Sequence, residues 1–270
     1  MKPGGAPRAT RLSFAPARNK GRTVEAIFDW FRQLYDTTGW NFVFMYEEYE
    51  RDRLLTAMWT TVKLSLYCLF FSLIVGVVGA WAQGAKSAIV RGVVYWYIQA
   101  FRNTPPLVQI LFFYFVFGNL LPTYDAGGYQ EQYFGAFGWA VVSLSFFAGA
   151  FNVEIFRAGV EAVPTATVEA AESLGYSRLK AYVYIVLPLA FRVSLPALNN
   201  NLVNLVKTTT LAYVIAVPEM MYTANQMWSD NVNVPEMMVV LFVFYVGLVA
   251  ILVYFMHRWE RAMKIPGYGA

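Results

Sequence analysis

Charge is scarce in this chain of 270 residues: Asp, Glu, Lys and Arg make up 14%, against about 25% in soluble domains. Reactive side chains are scarcer still, with one cysteine, Cys68, inside an apolar run, and one histidine, His257. A lone cysteine excludes an intrachain disulfide, and one cysteine with one histidine make a dedicated Cys/His metal site implausible. No metal and no cofactor is expected. The phosphate-binding run G-x-x-x-x-G-K-[ST] is absent, and H-E-x-x-H is absent too. An intramembrane enzyme needs a nucleophile–base pair or a metal constellation, and the sequence offers neither. Nothing in it points to a nucleic-acid partner.

What the chain has is apolar length. Hydrophobic residues make up 58% and mean hydropathy is +0.43. A spanning helix needs about 20 mostly apolar residues. Five stretches qualify, near 57–82, 94–121, 137–156, 195–217 and 237–256. The expected fold is an all-α membrane protein of about five transmembrane helices. The second stretch is interrupted by "RNTPP". Such a break is tolerated where neighbouring helices or water re-satisfy the backbone, so this segment is expected to pack inside a bundle.

Ahead of the spans, Lys2, Arg8, Arg11, Arg18, Lys20 and Arg22 form a basic tail with no apolar core behind it, read as disordered and not as a cleavable signal peptide. The stretch 24–35, "VEAIFDWFRQLY", puts Val24, Ile27, Phe28, Phe31 and Leu34 at helical spacing, as in an interfacial amphipathic helix. Packing of that face on another protein surface is the alternative.

Basic residues separate cleanly between loops. The loop 83–93 holds Lys86 and Arg91, with Arg102 just beyond; Arg157, Arg178, Lys180 and Arg192 cluster around a central stretch; the C-terminal tail holds Arg258, Arg261 and Lys264. The loops 122–136 and 218–236 hold neither Lys nor Arg, only Asp125, Glu131, Glu219, Asp230 and Glu236. The positive-inside bias then places the central stretch and the C-terminus in the cytoplasm. Five spans put the N-terminus outside, although its tail is basic. The turn "EEYERDR" (Glu47 to Arg53) is mixed in sign and decides nothing.

The central stretch, "VPTATVEAAESLGYSRLKAYVYIVLP", is compact and polar for such a chain. Pro164 suits a first helical turn, Gly175 a helix C-terminus, and Ser177 the cap of a second helix ending near Pro188. Ala170 and Ala171 are small, leaving room for a partner beside Glu169 and Glu172. The spacing of Glu169-Ala170-Ala171, Gly175 and Leu187-Pro188 resembles the EAA loop of permease subunits of type I binding-protein-dependent ABC importers. "FRNTPPLVQILFFYF", "LPALNNNLVNLVKTTTLAYVIAVPE" and "WERAMKIPGYG" resemble the branch of that family moving polar amino acids: glutamate, glutamine, arginine, histidine and opines.

The resemblance implies an ATP-driven import permease of a bacterial inner membrane, itself without chemistry. Its implied partners are two ATP-binding ABC subunits, a second permease, identical or homologous, an extracytoplasmic amino-acid-binding protein and the lipid bilayer. Glu169, Ala170, Ala171, Gly175, Leu187 and Pro188 would form the cytoplasmic ATPase-coupling loop. The implied division is 1–54 tail and interfacial helix, 55–258 transmembrane domain, and 259–270 cytoplasmic tail. An ion-coupled secondary transporter is the alternative. That class shows paired broken helices in internal repeats, whereas one break and no echo of it occur here.

Ionisable residues inside spans mark pathways or partners. Asn200, Asn204, Lys207 and Thr208 fall on one helical face, which must meet protein or water. That face is a substrate path or a set of interhelical hydrogen bonds. Glu154 and Arg157, three apart, are a gate on that path or a structural ion pair. The polar-amino-acid branch often carries an acid after this lysine, and here Thr208 stands instead. That departure favours an acidic or neutral substrate. Glu154 and a passing carboxylate are the two candidate partners for Lys207.

Overall fold

The computed structural model describes residues 20–125, 127–128 and 130–263. The tail up to residue 19 and the end of the "WERAMKIPGYG" run lie outside the described residues. In chain order the helices are α1 (Lys20–Thr38), α2 (Glu48–Gln83), α3 (Ala88–Asn103), α4 (Pro106–Leu120), α5 (Ala136–Glu161), α6 (Thr165–Ser173), α7 (Arg178–Ile215), α8 (Met220–Asn231) and α9 (Val234–Met263). A short hairpin pairs β1 (Thr123–Asp125) with β2 (Gln130–Gln132) in antiparallel register. Helices α2, α5, α7 and α9 are each long and apolar enough to cross a membrane. The stretch read as a second span is α3 and α4, divided at the prolines. The proposed divisions at 54/55 and 258/259 fall inside α2 and α9, so they mark changes of composition and not breaks of backbone.

Helix α5 is the hub. Of its apolar window 67% is buried inside the chain, against 6% for α9. Its core cluster joins Leu144 and Ala148 to Leu64 and Cys68 of α2 and Leu205 of α7. Lipid tails are as apolar as leucine, so close packing and interhelical hydrogen bonds hold such a bundle. Both are present. A Cβ on Gly159 would overlap Ser194 Oγ and lie 2.7 Å from the Ala190 carbonyl oxygen, so only glycine admits α7 at this distance. Asn152 Nδ2 donates to the Ser72 carbonyl at 3.1 Å, and Asn201 Nδ2 donates to Asn152 Oδ1 at 2.8 Å and to the Ala148 carbonyl at 3.0 Å. Three helices are thereby tied through the buried Asn152 and the half-buried Asn201.

One local expectation is corrected. No helix ends at Pro188: the segment runs on from Arg178 through a π-helical turn at Tyr182–Val186. A proline lacks an N–H and crowds the carbonyl four residues back. Here that residue, Tyr184, sits in the wider turn, which removes the conflict without ending the helix. The second stretch packs on the hub as expected, α3 and α4 both lying against α5 with Gln109 and Ile110 buried, while the break itself, Arg102 to Pro105, is exposed on this chain. The break is satisfied from within the segment. Gln109 Nε2 donates to the Phe101 carbonyl at 2.9 Å, the Thr104 carbonyl at 3.1 Å and Thr104 Oγ1 at 2.7 Å.

Candidate translocation face and coupling loop

The loops poor in basic residues share one end of the bundle, and α6 lies at the other. At the first end, Arg53 Nη1 reaches Asp230 at 3.4 Å and Asn233 donates to the Asn41 carbonyl at 2.9 Å. At the second, Gln83 Nε2 donates to Glu154 Oε1 at 3.4 Å.

The three consecutive asparagines of α7 point three ways. Asn199 is buried and donates to Glu260 of α9 at 3.3 Å. Asn201 turns inward to Asn152. Asn200 is exposed, and so are Asn204 and Lys207. These last three make the polar face expected from the spacing. Thr208 stands beside it, half-buried, its hydroxyl donating back to the Asn204 carbonyl at 2.8 Å. Thr210 does the same to the Lys207 carbonyl at 2.9 Å. Beyond Thr208 the helix tightens into a 3-10 turn, Thr209–Ile215, which packs against α4 just past the proline break.

Among the described residues Lys207 makes no ion pair. Glu154 is not its partner. Arg157 Nη2 lies 2.9 Å from Glu154 Oε2 and Arg102 Nη1 3.7 Å away, while Arg157 Nη1 reaches Glu161 at 2.7 Å. Helix α7 runs antiparallel to α5, with Ser194 bonded to the Ile155 carbonyl and Asn201 to the Ala148 carbonyl. Lys207 therefore stands roughly three turns from the level of Glu154. The structure does not bring Glu154 and Arg157 to the Asn200–Lys207 face. Their cluster ties α5 to the end of α3, where Arg102 also lies over the Phe151 ring at 5.3 Å.

The loop between α5 and α7 is built around its glycine. Gly175 has φ +88, its N–H donates to the Glu172 carbonyl at 2.9 Å, and the Tyr176 N–H donates to the Ala171 carbonyl at 3.1 Å. These two bonds are the Schellman closure of a helix. Pro164 stands one residue before α6, and Ser177 holds the cap position of α7 without a side-chain capping bond. Glu169, Ala170 and Glu172 are exposed, whereas Ala171 is buried within its own chain. It is unavailable to a partner: its small side chain lets α6 lie close. Leu187 and Pro188 are exposed on the continuous helix. Sequence reasoning missed Leu174 and Leu179, 80% and 73% exposed at the tip of this polar loop. Their signal was two leucines flanking Gly175 in an otherwise polar run.

Sequence reasoning also treated 218–236 as a plain loop. It holds α8, capped by the fully buried Glu219, whose carboxylate accepts from the N–H groups of Met221 at 2.9 Å and Tyr222 at 2.8 Å and from the Tyr245 hydroxyl at 3.0 Å. The Met220 N–H donates to Thr61 Oγ1 at 2.8 Å.

A hub helix in a bundle of apolar spans, with a polar face left open along one of them, defines a polytopic α-helical membrane transport component. Residues 72–264 match the binding-protein-dependent transport system inner membrane components, and the chain belongs to that family. It is a transport subunit of the ABC importer type. It is 31% identical over 205 residues to the glutamine transport system permease protein GlnP of Escherichia coli, covering 76% of this chain and 90% of that one. It is 32% identical over 173 residues to the L-cystine transport system permease protein TcyB of Bacillus subtilis, covering 64% and 70%. A crystal structure of an amino acid ABC transporter with histidines superposes with a TM-score of 0.69 at 25% identity, covering 78% of this chain and 94% of that one. The inward-facing MetNI methionine ABC transporter superposes at 0.63 with 19% identity, covering 81% and 100%, which speaks to the fold alone. The family does not favour the secondary-transporter alternative.

Proposed function

We propose that this chain is half of a dimeric pore that carries a polar amino acid, acidic or neutral, across a bacterial inner membrane. The substrate arrives from an extracytoplasmic binding protein. Two ATPase subunits drive the cycle through the loop around Glu169–Gly175. The partner permease is a second copy or a homologue.

The observation that carries this reading is the open face of Asn200, Asn204 and Lys207 on a spanning helix. An uncompensated cation is expensive in hydrocarbon, so this face meets water or a second permease across the pore. A cation flanked by amides suits a carboxylate. Among the described residues no carboxylate pairs with Lys207, which disfavours a strongly cationic cargo. Lysine and arginine gathered at the α6 end support a cytoplasmic α6 and C-terminus. The exposed Leu174 and Leu179 give that end an apolar tip for a protein groove. The amino-acid permeases among its relatives support the substrate class.

The test is uptake into proteoliposomes that hold the permease, its ATPase and its binding protein. Glutamine or glutamate uptake that requires internal ATP, and exceeds arginine uptake, is the expected result. Uptake driven by an ion gradient without ATP would overturn the reading.

A further inference from the structure

Helix α1 precedes the family match and has no part in the function proposed above. Around its axis Ile27, Trp30, Phe31, Leu34 and Tyr35 fall on one side and Glu25, Asp29, Arg32 and Asp36 on the other. Part of the apolar side is covered by its own chain. Phe31 meets Phe42 edge-to-face at 5.9 Å, and the Arg51 guanidinium lies 5.5 Å from the Phe28 ring centre. Ile27, Trp30 and Tyr35 stay exposed, as does Trp40 just beyond the helix.

The level of α1 is fixed by those contacts. Arg51 lies in the charged first turns of α2, Glu48–Arg53, and the apolar part of the same helix follows directly, with Leu55 and Trp59 facing outward. The exposed stripe of α1 therefore sits at the level where α2 passes from charged to apolar residues. Tryptophan and tyrosine favour the membrane–water interface because one edge of the ring is polar. A helix with a strong apolar face, an opposite charged face and this position lies in the plane of the interface.

The chain beyond α1 grips the bundle at the same end. The Asn41 N–H donates to the Glu236 carboxylate, its carbonyl accepts from Asn233 Nδ2 at 2.9 Å, and its side-chain carbonyl accepts from the Tyr46 hydroxyl at 2.6 Å. Asn41 thus ties α1 to the corner between α8 and α9.

We propose that α1 is an in-plane anchor seated in the lipid headgroup layer at the α8 end of the bundle, with Ile27, Trp30 and Tyr35 toward the acyl chains. The occupant of the exposed face is the bilayer surface, and through Asn41 the anchor braces the corner that holds α8. The inference requires only that the chain spans a membrane; it stands whatever the substrate.

Spin labels on the full-length chain test it, reconstituted in vesicles of phosphatidylethanolamine and phosphatidylglycerol. Buried Cys68 is left in place, and single labels are attached at I27C, W30C, D29C and D36C, all at exposed positions. Labels at 27 and 30 should collide more with oxygen than with a water-soluble nickel chelate, and labels at 29 and 36 should show the reverse. Nickel dominance at all four sites would overturn the proposal, with α1 standing in water. Shielding of 27 and 30 from both reagents would also overturn it, since a second copy or another protein would then cover the face. A binding protein as occupant would appear as nickel-accessible labels that become shielded when that protein is added.

Discussion

Asn201 and Asn152 meet amide to amide at 2.8 Å in the middle of the bundle, between α7 and α5. This contact holds the helix carrying the open polar face against the hub. Asn201→Leu removes two hydrogen bonds and leaves Asn152 Oδ1 without this donor. Interhelical bonds of this kind contribute about 0.6–2 kcal/mol each, so a loss of about 1–4 kcal/mol is expected for the two. The thermal unfolding midpoint of the detergent-solubilised chain should fall. An unchanged midpoint would show that the pair contributes nothing.

Gly175 sits at φ +88 with nothing within 4 Å of a built Cβ. The penalty for Gly175→Val is therefore a backbone penalty, about 1–2 kcal/mol confined to the end of α6. The bundle should insert and unfold as before, while ATP hydrolysis by the assembled complex no longer drives uptake. Normal uptake by the variant would detach this loop from coupling.

Val232 closes α8 in the left-handed region, φ 52, and is 87% exposed. A β-branched residue there is strained. Val232→Gly relieves about 1–2 kcal/mol of strain against about 0.5–1 kcal/mol of added chain entropy. A higher unfolding midpoint is the expected outcome, by about 0.5–1 kcal/mol. A lower midpoint would mean that Val232 makes an intermolecular contact in the sample measured.

Much of this architecture was legible because membrane burial writes itself into long apolar runs, and the helical period places Asn200, Asn204 and Lys207 together without any tertiary information. Gly175 was legible for a local reason, since few residues but glycine tolerate its φ. What the sequence hid depended on partners distant in the chain. The directions of Asn199 and Asn201 are set by α9 and α5, and Ala171 is buried because α6 folds back on the π-turn of α7. Helix α8 was missed because the segment was judged by its lack of basic residues. Its cap, Glu219, ahead of an apolar pair, was a readable sign. Pro188 misled because a proline usually stops a helix, and the wide turn before it is invisible in composition. Glu154 was a plausible partner for Lys207 until the antiparallel register set them at different levels.

The central claim is that Lys207 serves the cargo and not the scaffold. The direct measurement is ATP-dependent glutamine or glutamate uptake by reconstituted Lys207→Met, taken together with its thermal unfolding. The account predicts a complex that assembles with an unchanged midpoint and an uptake rate lower by about tenfold, a loss of about 1.4 kcal/mol. Unchanged uptake with a lowered midpoint would contradict it and make Lys207 a structural residue.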